Sequence, residues 1–174
     1  MAETETLSPL LPNEVEEATR RLLEKACERD LMFAVAESCT GGMLASLLTD
    51  VHGSAHAFER GFVTYSNEAK ETLLGVPGTT LRDFGAVSRE TAEAMAKGAL
   101  RQSDAELAVS VTGIAGPGGG SPGKPVGLVH FAAASKHGQL IHHEKRFGDI
   151  GRSQVRHASV IEALTMLREL AEGE

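Results

Sequence analysis

Three stretches of the chain end an apolar run on residues that can do chemistry. The first is Ala36-Glu37-Ser38-Cys39-Thr40-Gly41-Gly42. A serine at a strand end, just before a helix, can attack a carbonyl, and backbone N–H groups at the helix start can receive an oxyanion or a phosphate. Gly41 and Gly42 let the backbone approach a ligand closely. A simpler reading makes Ser38 or Thr40 a helix cap, a role both types favour. Cys39 has no activating neighbour in sequence and reads as a small buried residue. The second stretch is Thr64-Tyr65-Ser66-Asn67-Glu68-Ala69-Lys70, holding the only tyrosine. Tyr65 or Lys70 can serve a serine as general base if its pKa falls well below about 10. The competing reading is a wet-ended tyrosine and a solvated lysine. The third runs from Val111-Thr112-Gly113 through Gly116, Pro117 and Gly118 to Lys124-Pro125. Its glycines can cradle a phosphate by backbone N–H groups. Residues 118–125 nearly match a P-loop, but Pro125 stands where the Mg²⁺-binding Ser/Thr belongs and a strand follows where a helix should open. An NTPase reading fails on both counts.

A fourth group, Phe147-Gly148-Asp149-Ile150-Gly151-Arg152 with Arg156, puts two arginines four residues apart on one helix face. They can reach a phosphate, or Asp149 is a helix cap beside two solvated arginines. The histidines do not form a zincin helix: His52 and His56 lack the intervening Glu, and the neighbouring His142 and His143 would point to opposite faces of a strand. No metal or other cofactor is expected.

These groups need elements to hold them. Residues 1–12 read as an arm. Asn13 and Glu16 suggest a capping box for a helix over 14–29. The run 31–36 suits a strand buried on both faces. Helical spacing resumes from Met43. A second strand fits 61–65, followed by a helix that Ser66 or Asn67 caps and Gly75 ends. Ser88 starts another helix, and 107–111 makes a third strand. Residues 113–125 form a loop, 127–134 and 140–147 pair through His137-Gly138, and a last helix starts near Asp149 with Val155, Ala158, Ile161, Leu164 and Leu167 on one stripe. This order predicts one α/β domain over 13–174, with a mixed sheet and helices on both faces.

Composition narrows the partners. The 174 residues carry a net charge of −7, with 4% aromatics and no Trp. That argues against general nucleic-acid binding, which needs basic and stacking surfaces. Two cysteines make no disulfide framework, and no apolar run approaches a membrane span, so a cytoplasmic protein is expected. Leu7, Leu10 and Leu11 want cover, which suggests a homo-oligomer.

Read together and in order, Ala36-Glu37-Ser38-Cys39-Thr40-Gly41-Gly42, Thr64-Tyr65-Ser66-Asn67-Glu68-Ala69-Lys70, Gly85-Ala86-Val87-Ser88, Val111-Thr112-Gly113-Ile114-Ala115-Gly116-Pro117, Lys124-Pro125-Val126-Gly127 and Phe147-Gly148-Asp149 resemble the CinA C-terminal domain family over roughly 14–170. The resemblance implies a three-layer α/β/α sandwich around a mixed, about five-stranded sheet, akin to anticodon-binding domains. It implies a nicotinamide-nucleotide amidohydrolase: nicotinamide mononucleotide and water give nicotinate mononucleotide and ammonia, in pyridine-nucleotide salvage. The chain resembles the stand-alone form, without the family's additional N-terminal domain. One departure stands out. The family reads Gly-Asp-Arg, whereas Ile150-Gly151 here precede Arg152.

The resulting expectation has Ser38 as nucleophile and Tyr65 or Lys70 as base. N–H groups of Gly41 and Gly42, with the Thr112 hydroxyl, form the oxyanion site. Thr40, Gly113, Gly116, Gly118, Lys124 and Arg152 hold the nucleotide. The alternative is a nucleotide-binding or interaction module of the competence or damage response without catalysis. Pyrophosphate hydrolysis is weaker still, because no carboxylate-rich Mg²⁺ site is evident.

Overall fold

A computed structural model describes residues 12–173. The proposed arm, including Leu7, Leu10 and Leu11, lies outside the described residues apart from Pro12.

Helix α1 (Asn13–Glu28) buries Leu22, Leu23 and Ala26. The capping box does not form: Asn13 is already helical, and the Pro12 carbonyl accepts the Val15 N–H at 2.9 Å. Strand β1 (Phe33–Glu37) is buried at every position, as a two-sided apolar run requires. Helix α2 (Met43–Asp50) follows the glycine turn, and a 3₁₀ turn at Ser54–His56 leads to β2 (Phe58–Val63), which starts three residues before the predicted strand. Ser66 accepts the Ala69 N–H and caps α3 (Asn67–Leu74), and Gly75 ends it at φ 64°. Helix α4 (Gly78–Phe84) is absent from the sequence reading, since Pro77 and Gly78 offer no capping side chain. Ser88 caps α5 (Arg89–Arg101).

Strands β3 (Leu107–Gly113), β4 (Leu128–Ser135) and β5 (Leu140–Arg146) precede the terminal helix α6 (Arg152–Gly173). The helix starts at Arg152, three residues after Asp149. Its expected apolar stripe is only partly right. Val155, Leu164 and Leu167 are buried, but Ile161 is 41% exposed and the core side is completed by Val160, Ala163, Met166 and Leu170. A row spaced by three winds about 60° per step around a helix of 3.6 residues per turn, so it cannot stay on one face.

The sheet order is β2-β1-β3-β4-β5. β1 is parallel to both β2 and β3, while β3–β4 and β4–β5 are antiparallel. One face packs against α1, α2 and α6 through Phe33, Val35, Leu44, Val109, Phe131 and Leu167. The other packs against α3, α4 and α5 through Ala34, Ala36, Leu74, Leu81, Met95 and Ala108. The expected three-layer α/β arrangement with a mixed five-stranded sheet is therefore present. Among the described residues no helix is long and apolar enough to cross a membrane.

The chain leaves β1 for β2 on one side and then returns to β3 on the other. Such reversals open a crevice beyond the carboxyl ends of the central strands, where ligands of open α/β sheets bind. Here those ends are Glu37 and Gly113.

Packing between α5 and α3 rests on Gly98. A Cβ built there would lie 2.2 Å from the Leu74 carbonyl oxygen. Alanine favours helix by about 1 kcal/mol over glycine, but forcing a methyl into backbone costs about 1–3 kcal/mol. Gly98→Ala is expected to lower the urea midpoint. An unchanged or higher midpoint would show that α3 yields freely.

Candidate active site

Ser38 follows β1, and its N–H still donates to the Val111 carbonyl of β3 at 2.9 Å. Strand alternation sends Ala34, Ala36 and Ser38 toward the α3–α5 layer. Lys70, in α3, faces the same layer and is 1% exposed. Its Nζ donates to Ser38 Oγ at 3.1 Å and to the Thr64 carbonyl at 2.7 Å. Ser66 caps α3 and Thr64 N–H donates to the Glu37 carbonyl at 2.8 Å, so the segment bearing Lys70 is pinned to the end of β1. Burial destabilises the ammonium and pulls the Lys70 pKa below its ordinary value. Of the two bases the sequence leaves open, Lys70 is the one in contact with Ser38.

Tyr65 occupies the rim. It is 62% exposed, and its hydroxyl accepts a 2.9 Å hydrogen bond from Arg152. The same guanidinium donates to the Gly116 carbonyl at 2.9 Å. Arg152 therefore joins the 64–66 segment to the glycine loop. The expected helix-face partner, Arg156, turns elsewhere: its guanidinium donates to the Thr40 carbonyl at 2.9 Å and braces the serine turn from behind.

The expected oxyanion donors need correction. Gly41 N–H donates to the Ser38 carbonyl at 3.0 Å, and Gly42 N–H to the Glu37 carboxylate at 3.0 Å. Both are spent. The Thr112 hydroxyl is spent too, donating to the Ala86 carbonyl at 2.7 Å inside the fold. Among the described residues no other residue accepts from the N–H of Cys39 or Thr40. These two, directly after the serine, are the donors the turn leaves available. The buried hydroxyls of Thr40 and Thr64 also have no partner among the described residues.

The remaining expected ligand residues divide. Gly118 is exposed, with nothing within 4 Å of a built Cβ. Gly116 has φ 82°, and a side chain there would strike Val126. Gly113 is glycine because a Cβ would lie 2.6 Å from Val129, so close strand packing explains it without a ligand. Lys124 donates to the Phe84 carbonyl, and no contact links it to Ser38. Cys39 is buried, and that burial pushes its thiol up to about 12. Iodoacetamide at pH 8 is accordingly expected to modify the half-buried Cys27 and spare Cys39 in folded protein, read by peptide mass. Rapid labelling of Cys39 would show that the turn opens.

The crevice of this 2-1-3-4-5 sheet, with a strand-end serine and a buried lysine in it, defines an open-sheet three-layer α/β protein with a serine–lysine site. The chain matches the CinA C-terminal domain over residues 15–171 and belongs to that family. It is 47% identical over 156 residues to a CinA-like protein of Geobacter sulfurreducens, covering 90% of this chain and 37% of the relative. A CinA-like protein of Synechococcus is 50% identical over 148 residues, covering 84% and 35%. The chain thus spans a little over a third of the length of such relatives. Among solved structures, the competence/damage inducible protein CihA from Agrobacterium tumefaciens superposes with a TM-score of 0.91 at 55% identity, covering 92% of this chain and 98% of that one. A CinA superfamily protein from Escherichia coli gives 0.84 at 34% identity, with 93% of each covered.

Proposed function

We propose that this chain hydrolyses the carboxamide of a nicotinamide nucleotide, converting nicotinamide mononucleotide and water to nicotinate mononucleotide and ammonia. The observation that carries the reading is the 3.1 Å contact between Lys70 Nζ and Ser38 Oγ, within the reach of direct proton transfer. With its proton lost to solvent, the Lys70 amine can still donate to the Thr64 carbonyl while its lone pair accepts from the Ser38 hydroxyl.

Ser38 Oγ then attacks the amide carbon as its proton passes to Lys70. The oxyanion draws the N–H groups of Cys39 and Thr40, each such donor being worth about 3–4 kcal/mol. The tetrahedral intermediate collapses, Lys70 returns the proton to the leaving nitrogen, and ammonia departs. Water attacks the nicotinoyl ester, again giving its proton to Lys70, which passes it to Ser38 Oγ as the ester bond breaks and the acid product leaves. The nucleotide phosphate is an anion on a chain of net charge −7. Arg152 and the open backbone at Gly118 answer this locally, and Tyr65, held by Arg152, lies along the same rim.

The test is ammonia release from nicotinamide mononucleotide, run beside a thermal shift with the same nucleotide. Turnover supports the amidase. A raised melting temperature without ammonia would make this a nucleotide-binding module instead. In either case the expected partner is a small nucleotide, not a nucleic acid or a membrane.

A further inference from the structure

Glu37 is a fully buried carboxylate that the reaction above does not use. Burying a carboxylate costs several kcal/mol unless its oxygens are well satisfied. Among the described residues no cation pairs with it. Three backbone groups do the work: the N–H of Gly42 at 3.0 Å, of Leu44 at 3.1 Å and of Ala45 at 2.8 Å. These are the first groups of α2, whose N-cap is Gly42, with no side-chain cap and no acidic residue in its first turn. Helices usually draw this cap from the residue at their own start. Here it comes from the preceding strand, across the whole turn.

The bond therefore closes a ring. One end is Glu37 in β1, the other is the start of α2, and Ser38, Cys39, Thr40 and Gly41 lie between. Ser38 and Glu37 alternate across the strand, so the ring is anchored on the face opposite Lys70. Within it, Gly41 N–H turns inward to the Ser38 carbonyl, and no other residue claims the N–H groups of Cys39 and Thr40. Resting on the amidase reading, we propose that Glu37 is a positioning residue: its carboxylate holds the turn so that Ser38 and the N–H groups of Cys39 and Thr40 converge on one reacting carbonyl. It also fills the N-terminus of α2 with the protein's own anion, which leaves the substrate phosphate to the Arg152 side.

A mere helix cap would cost stability alone. A positioning role selects the chemical step. Glu37→Gln, which keeps the shape, is expected to lower kcat for ammonia release by about 10²-fold with KM changed less than about threefold, the scale of losing an oxyanion donor. Labelling of Ser38 by a fluorophosphonate should slow in parallel. In Glu37→Ala, sodium formate can supply the missing carboxylate and should accelerate labelling at least about tenfold, with no effect on the parent. Parent-like kcat and labelling in Glu37→Gln would overturn the proposal. So would losses that track the unfolded fraction by circular dichroism and ignore formate. If the parent releases no ammonia from nicotinamide mononucleotide yet its labelling depends on Glu37, the positioning role stands and the amidase reading falls. A parent that resists labelling at Ser38 overturns both.

Discussion

Ser38→Ala is expected to lower ammonia release from nicotinamide mononucleotide by at least about 10³-fold while leaving the melting temperature within a degree or two. Removing the nucleophile of an acyl-transfer site takes away the covalent path, and what survives is the residual catalysis of binding and oxyanion donors. The fold has little stake in the hydroxyl: it accepts from Lys70, whereas the backbone of Ser38 keeps its bond to Val111. Burst kinetics offer an independent check, since a nicotinoyl ester should accumulate on Ser38 and appear as added mass in quenched samples. A variant with parental turnover would remove Ser38 from the mechanism and leave Lys70 without a task.

Lys70→Met should produce the second large effect, and in two opposite directions. Activity is expected to fall by about 10²–10⁴-fold, the usual contribution of a positioned base. The parent's kcat/KM should rise with pH as Lys70 loses its proton, through a pKa below the ordinary lysine value because burial disfavours the ammonium. The methionine variant should lack that rise. Stability moves the other way. A lysine whose folded pKa lies below its unfolded one binds fewer protons when folded, so its penalty is fully present below the folded pKa. The penalty fades as pH climbs toward the unfolded value. The parent should therefore gain stability as pH rises through that window, and Lys70→Met should be flatter and more stable at its acidic end. Urea midpoints across the window decide it; identical slopes would mean that Lys70 folds with an unperturbed proton. Tyr65→Phe, which removes only an exposed acceptor for Arg152, should affect kcat far less than Lys70→Met.

Much of the architecture is written in local patterns. The buried run around β1, the serine caps on α3 and α5 and the Gly138 hairpin each announce themselves through neighbours in sequence. Ser38 itself is legible for the same reason, because a strand end, a serine and two glycines are contiguous. The choice between Tyr65 and Lys70 is not. A lysine in a short polar helix looks solvated until the strand 32 residues away in sequence is laid against it, and only that packing buries it. The oxyanion donors fail differently. Gly41 and Gly42 look free because nothing local claims their N–H groups, yet Glu37 and the Ser38 carbonyl do so once the turn closes. Glu37 reads as the polar end of a strand, and its role appears only when the start of α2 folds back over it. Helix α4 is missed because it begins on Pro77 and Gly78, with no cap to mark it.

The placement of β1 between β2 and β3 also bears on how the molecule comes together. β4 and β5 join across a short hairpin, whereas Phe33 of β1 must find Leu107 of β3 and Phe58 of β2. Closing longer loops costs more chain entropy, and topologies rich in such pairings fold more slowly. Ser38 stands at the tip of the strand with two distant neighbours, so its position depends on the most expensive pairings in the sheet. A chain that has formed only its hairpin half carries the serine but not the site, which makes Ser38 reactivity a measure of completed folding as well as of chemistry.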